Sequence, residues 1–133
     1  FNFIRKSLWR LIFSIEENQA SQTLSDKIKK MNDVLNLKHI VSESKIAVKK
    51  LINEGIKPDI VIFDPPRKGC ESEELELLSE KTGHIIYISC NPATLARDSA
   101  ILIERGFNIT DLQPVDMFPN TYHIETICEF QKS

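Results

Sequence analysis

Glycine is scarce in this chain: four residues in 133, the first of them Gly55. No two form a G-x-G pair, so these residues carry no glycine-rich turn of the kind that cradles a cofactor or phosphate. Cysteine is scarce too. Cys70, Cys90 and Cys128 are odd in number, and no two have the C-x-x-C spacing of a zinc ligand pair. That argues against a disulfide framework and against a metal site, and suits a reducing cytoplasm. Basic charge is not in excess: 17 Lys and Arg stand against 19 Asp and Glu, a formal net charge of −2. Nucleic-acid binders usually show a basic footprint. Any action on a nucleic acid therefore needs a locally basic cleft, or phosphate contacts from another domain. No apolar run approaches the roughly 20 residues of a membrane span, and no internal repeat or low-complexity stretch is present. The opening FNFIRKSLWRLIF is basic and amphipathic, as a targeting or surface segment would be. It lacks a small-residue cleavage site and runs straight into fold-like sequence, so it reads as a strand or helix of the domain.

What is there fits one soluble domain. The chain is 41% apolar and 27% charged, and its length can bury a core without staples. Short apolar runs alternate with amphipathic stretches, the pattern of an α/β sheet built from parallel units. Strands are expected at 11–15, 39–41, 59–63, 84–88, 107–115 and 122–130. Helices are expected at 19–35, 45–53, 72–81 and 93–105. In the first helix Ala20, Leu24, Ile28, Met31 and Leu35 recur at helical spacing. Ser44 is placed to cap the second. The run 59–63 is continuously apolar, which predicts a strand buried on both faces. The last two strands are joined by a short loop, so they are expected to be antiparallel neighbours.

Polar or reactive residues follow the ends of these strands: Glu16, Glu43, Asp64 and Cys90. In open α/β sheets the ligand crevice lies at those ends. Glu16 can accept hydrogen bonds from two ribose hydroxyls; it serves equally as a solvated loop charge, and Glu43 is the weaker of the two. Asp64-Pro65-Pro66 ends a strand on a stiff turn, since neither proline can donate to a ladder. Arg67, Lys68, Gly69 and Cys70 then form a basic loop. Cys90 lies between a strand end and a helix N-terminus, a setting that favours the thiolate. Cys70 sits on a loop, and Cys128 reads as core on a strand face shared with Ile124, Thr126 and Phe130. If the last strand runs antiparallel beside the strand ending at Cys90, Glu125 faces the same crevice and can act as a general base. His123 shares its face and reads as a structural histidine.

Three blocks carry a resemblance: Asp64-Pro65-Pro66-Arg67-Lys68-Gly69-Cys70, then residues 87–98 around Ser89-Cys90-Asn91-Pro92, then residues 116–126 from Asp116-Met117 to Glu125-Thr126. In order and spacing they resemble the RNA (uracil-5-)-methyltransferases, over roughly residues 14–130. The resemblance implies the C-terminal portion of a catalytic domain with a Rossmann-like, S-adenosylmethionine-dependent methyltransferase sheet. That sheet ends in an antiparallel hairpin, here without its first strand and Gly-rich turn. It implies Cys90 as the nucleophile that attacks a uracil ring and Glu125 as the general base. It implies Glu16, Glu43 and Asp64 as residues lining the S-adenosylmethionine site, and tRNA or rRNA as the substrate partner. In the family the missing strand lies between those ending at Glu16 and Asp64, and an RNA-binding domain usually precedes the catalytic one. Residues 1–10 do not resemble the missing motif. Two other readings compete. One is a remnant or interaction module that keeps the fold without catalysis. The other is an adenine amino methyltransferase, suggested by the strand ending in Asp-Pro-Pro. The Cys90–Glu125 pair argues against the latter, because nitrogen methylation needs no thiol adduct.

Overall fold

A computed structural model describes residues 11–117, 119–121 and 124–133. The expectations for residues 1–10, and for Tyr122 and His123, fall outside the described residues. The chain forms two compact units, residues 1–51 and 52–133.

In the first unit, strand β1 (Ile12–Glu16) pairs in parallel with β2 (Leu37–Val41), Ile12 opposite Leu37 and Glu16 opposite Val41. A parallel return needs a crossover, and helix α1 (Ala20–Met31) supplies it. Asn18 Oδ1 accepts from the Ala20 N–H at 3.0 Å and starts the helix. His39 ties three elements together, with Nδ1 3.2 Å from Ser14 Oγ on β1 and Nε2 2.8 Å from Ser21 Oγ on α1. The helix ends four residues short of the expected 35. The Asn32 side-chain amide donates to the Ile28 carbonyl at 3.0 Å, and Asp33 takes a left-handed φ of 51°, which a short polar side chain tolerates. Leu35, expected on the apolar helix face, therefore lies beyond the helix and is 96% exposed, while Val34 is buried.

Helix α2 (Ser44–Asn53) follows β2. Ser44 is not its cap, as expected, but its first helical residue. The half-in position belongs to Glu43, whose carbonyl accepts from the N–H groups of Ile46 and Ala47 at 3.1 Å. Ala47 and Val48 are the buried residues of this helix.

The second unit holds a four-stranded sheet in the order β3-β4-β6-β5. Strand β3 (Val61–Phe63) is parallel to β4 (His84–Ser89), with Phe63 opposite Tyr87. Strand β6 (Glu125–Lys132) runs antiparallel to both β4 and β5 (Phe107–Val115) and lies between them. The C-terminal hairpin is therefore as expected. Pro114 is tolerated in β5 because, among the described residues, that strand is the edge of the sheet. Helices α3 (Ser72–Ser79) and α4 (Pro92–Glu104) connect the strands.

Alternation puts Ile85, Tyr87 and Ser89 of β4 and Thr126, Cys128 and Phe130 of β6 on one buried face. With Phe63, Leu75, Leu78, Leu95, Leu102 and Phe107 they form the core. Ile124, expected on that face, precedes the strand and is exposed. The expected strand at 59–63 is shorter and half-open. Phe63 is buried, but Ile62 is 64% exposed, because among the described residues β3 pairs only with β4 and packs on one face. Among the described residues no helix is long and apolar enough to cross a membrane.

Phe130 of β6 is fully buried. Phe130→Ala is expected to lower stability by about 3–5 kcal/mol, a large part of the 5–15 kcal/mol typical of a domain. Urea unfolding checks this: the midpoint should fall while the slope stays unchanged.

Candidate functional site at the ends of β3, β4 and β6

The turn leaving β4 is held by its own polar groups. Ser89 Oγ donates to the Asn91 carbonyl at 2.9 Å and accepts from the Asn91 N–H at 3.1 Å. Cys90 is the residue enclosed by these two bonds, and it is half-buried. Asn91 then caps α4, its Oδ1 accepting from the Ala93 N–H at 3.1 Å, with Pro92 in the first helical position. Proline suits that position because its missing N–H would have had no helical partner. The expected helix N-terminus beside Cys90 is present, one residue earlier than its sequence start at Ala93.

Glu125 is the first residue of β6 and is half-buried. Ser89 pairs with Thr126, the last pair between β4 and β6. Cys90 and Glu125 are the next residue on each side of that pair. The antiparallel neighbour relation on which their pairing depended is thus present, although they lie 35 positions apart in sequence.

Asp64 follows β3 directly and is exposed. β3 and β4 are parallel neighbours, so Asp64 and Cys90 leave adjacent strands at the same end of the sheet. The loop after Asp64 is held to the turn bearing Cys90. The Arg67 carbonyl accepts from Asn91 Nδ2 at 3.1 Å and from Thr94 Oγ1 at 3.3 Å. In the first unit Glu16 ends β1 and accepts from the Asn18 N–H at 3.1 Å through Oε1. Glu43 follows β2 two residues after Val41. Both are exposed, and both leave parallel strands at one end.

The three thiols differ in surroundings. Burial pushes the Cys70 thiol up to about 12, against a lowering hydrogen bond with Tyr87. Burial likewise pushes Cys128 up to about 11, and its side chain is fully enclosed in the core as expected. Sequence reasoning gave no role to Ser89, Asn91 or Thr94. The Ser-x-Asn turn and the helical spacing of 91 and 94 were the available signals for them.

The family model described as tRNA (Uracil-5-)-methyltransferase matches residues 19–132. An "Uncharacterized RNA methyltransferase" of Clostridium tetani is 53% identical over 97 residues, 72% of this chain and 21% of that protein. The chain thus spans about a fifth of the length of that curated relative. Among solved structures, a precorrin-6y C5,15-methyltransferase from Geobacter metallireducens superposes with a TM-score of 0.72 at 16% identity, covering 92% of this chain and 67% of that one. The TrmK protein of M. capricolum, solved with S-adenosyl-homocysteine, superposes with a TM-score of 0.66 at 18% identity, covering 93% of this chain and 52% of that one. At these identities the two structures speak to the fold alone, and that fold is the Rossmann-like α/β architecture of methyltransferases.

At pH 8 a thiol with a pKa near 12 has a thiolate fraction on the order of 10⁻⁴. Iodoacetamide at that pH is therefore expected to modify Cys90 first, leaving Cys70 and Cys128 unlabelled until the chain unfolds. Peptide mass spectrometry over a time course reads the order, and early label on Cys70 would contradict it.

Proposed function

Because this chain belongs to the tRNA (Uracil-5-)-methyltransferase family, we propose that it forms part of an enzyme that methylates C5 of a uridine in tRNA or rRNA. Cys90 is the nucleophile in this reading and Glu125 the base. The observation that carries it is the β4–β6 register, which runs Ser89 against Thr126 and leaves Cys90 and Glu125 as the next residues.

Uracil C5 is a poor nucleophile toward a methyl sulfonium. The Cys90 thiolate adds to C6, and the electron pair of the C5–C6 double bond moves into the ring carbonyl as an enolate. C5 then takes the methyl group. The Glu125 carboxylate removes the C5 proton, the pair left behind restores the double bond, and Cys90 Sγ departs. One difficult substitution becomes a sequence of easier steps. The helix N-terminus of α4 beside Cys90 stabilises developing negative charge there. The target base must leave any stack to reach the thiol.

S-adenosylmethionine, when bound, supplies the electrophilic methyl group. Glu16 and Glu43 are the proposed cofactor residues of the first unit, each an exposed carboxylate at a strand end, able to accept from hydroxyl or amino groups. Within the second unit the proposed cofactor residue is Asp64, exposed directly after β3. The TrmK protein that shares this fold was solved with S-adenosyl-homocysteine, the product of the same cofactor. The charge balance of 17 basic to 19 acidic residues leaves RNA affinity to a local basic surface or to a separate RNA-binding domain.

RNA containing 5-fluorouridine tests the nucleophile, because fluorine at C5 blocks the final proton removal. With S-adenosylmethionine the full-length protein is expected to form a covalent RNA complex stable to denaturing gels, and Cys90→Ala none. An adduct with Cys90→Ala would remove Cys90 from this role. Glu125→Gln is expected to keep the addition step and slow elimination about 10²-fold or more, in the range of general-base contributions. With ordinary uridine RNA that variant should accumulate the covalent complex instead of turning over.

A further inference from the structure

Helix α4 carries a charged side chain that the chemistry above does not use. Asp98 is fully buried, and its carboxylate is saturated with donors. Oδ2 accepts from the Tyr87 hydroxyl at 2.5 Å and from the Cys70 N–H at 2.8 Å. Oδ1 accepts from Arg97 Nε at 2.8 Å and makes an ion pair with Arg97 Nη2 at 2.6 Å. A buried carboxyl group needs such a set of partners to replace the water it has lost.

These bonds are one end of a longer series. Residues 91, 94, 97 and 98 lie along one side of α4 and its cap at helical spacing. Each holds the loop that follows Asp64. Asn91 and Thr94 take the Arg67 carbonyl. Arg97 Nη2 donates to the carbonyls of Lys68 at 3.0 Å and Cys70 at 3.2 Å. Asp98 takes the Cys70 N–H. The loop is thus zipped to the helix residue by residue. Gly69 lies inside the zipper with φ of +79°, and a Cβ there would stand 2.5 Å from Arg97 Nη2 and 2.6 Å from Asp98 Oδ2. Only glycine fits, for backbone and for space.

We propose that this zipper, anchored by Asp98, is a positioning device for the nucleophile. It rests on the reading of Cys90 as the attacking thiol. Asn91 is the shared part: its N–H and carbonyl bond to Ser89 across Cys90, its Oδ1 caps α4, and its Nδ2 holds the loop. The loop starts beside Asp64, and the turn carries Cys90. The zipper therefore sets how the two strand ends stand relative to each other. Asp98 touches no reacting atom, and Asn91 transmits its effect. Misplacing a reacting group by about 1 Å can cost on the order of 10²-fold in rate, so the loss belongs to the covalent step rather than to substrate binding.

The test follows single-turnover adduct formation with 5-fluorouridine RNA by the full-length protein, with its dependence on RNA concentration. Asp98→Asn keeps the volume but can no longer accept on both atoms. It is expected to slow the limiting rate by about 10–100-fold, with half-saturation by RNA changed less than about 3-fold. Tyr87→Phe removes one donor and is expected to lower the rate by a smaller factor, which covers the case in which Asp98→Asn does not fold. Gly69→Ala disturbs the zipper from the loop side with Asp98 intact, and should show the same split. A wild-type limiting rate in folded Asp98→Asn or Gly69→Ala, by circular dichroism at the assay temperature, would overturn the proposal. So would a loss confined to half-saturation. If the wild type formed no adduct, or Cys90→Ala formed one, the nucleophile reading itself would fail and this proposal with it. A normal wild type with unaffected zipper variants would sink the zipper alone.

Discussion

The antiparallel pairing of β6 with β4 organises the second unit. It inserts the last strand of the chain between two earlier ones, so residues far apart in sequence become neighbours. Tyr87 is set opposite Cys128 and Ile85 opposite Phe130, all on the buried face. A slip of one residue would turn that whole set toward solvent. The core therefore specifies the register, and the register brings Glu125 to the end of the strand that leads into Cys90. Packing and the proposed chemistry share one constraint here, which is why the two candidate residues can lie on a turn and a strand end without a dedicated scaffold of their own.

A second constraint is local and polar. The segment from Asp64 to Cys70 has almost no regular structure, yet its backbone polar groups are matched by side chains of α4. Buried backbone groups need such partners. Burial also explains why Tyr87 and Cys70 stay protonated around Asp98: desolvation is the largest influence on each, and the negative charge of Asp98 adds to it. Of the three cysteines, two are thus held as neutral, structural groups. Cys90 is instead enclosed by the Ser89–Asn91 turn, next to a capped helix N-terminus.

Much of the architecture was legible along the chain. Short apolar runs and the turn residues that end them located every described strand, and the short link between the last two predicted their antiparallel pairing. The failures have physical causes. The helix ending at Met31 looked longer because Leu35 kept the apolar spacing, but Asn32 and Asp33 offered the backbone a competing turn. The strand at Val61–Phe63 looked buried on both faces because its residues are apolar. Hydropathy cannot tell that only one side of it is covered among the described residues. Glu43 was legible as a strand-end acid, but its backbone role in starting α2 was not, because the adjacent serine carried the stronger capping signal.

By itself the sequence determined the order of elements and the identities of the residues at their ends: Glu16, Glu43, Asp64, Cys90 and Glu125. Those follow from local rules, since hydrophobic period, proline and capping preference act within a few residues. The tertiary structure alone decided that β6 lies against β4, and that Asp98, an ordinary polar residue in a helical pattern, is wholly buried and binds a loop 28 positions earlier. Both depend on contacts between distant segments. A carboxylate on a helix reads as solvated until the partners that replace its water are brought to it by the fold.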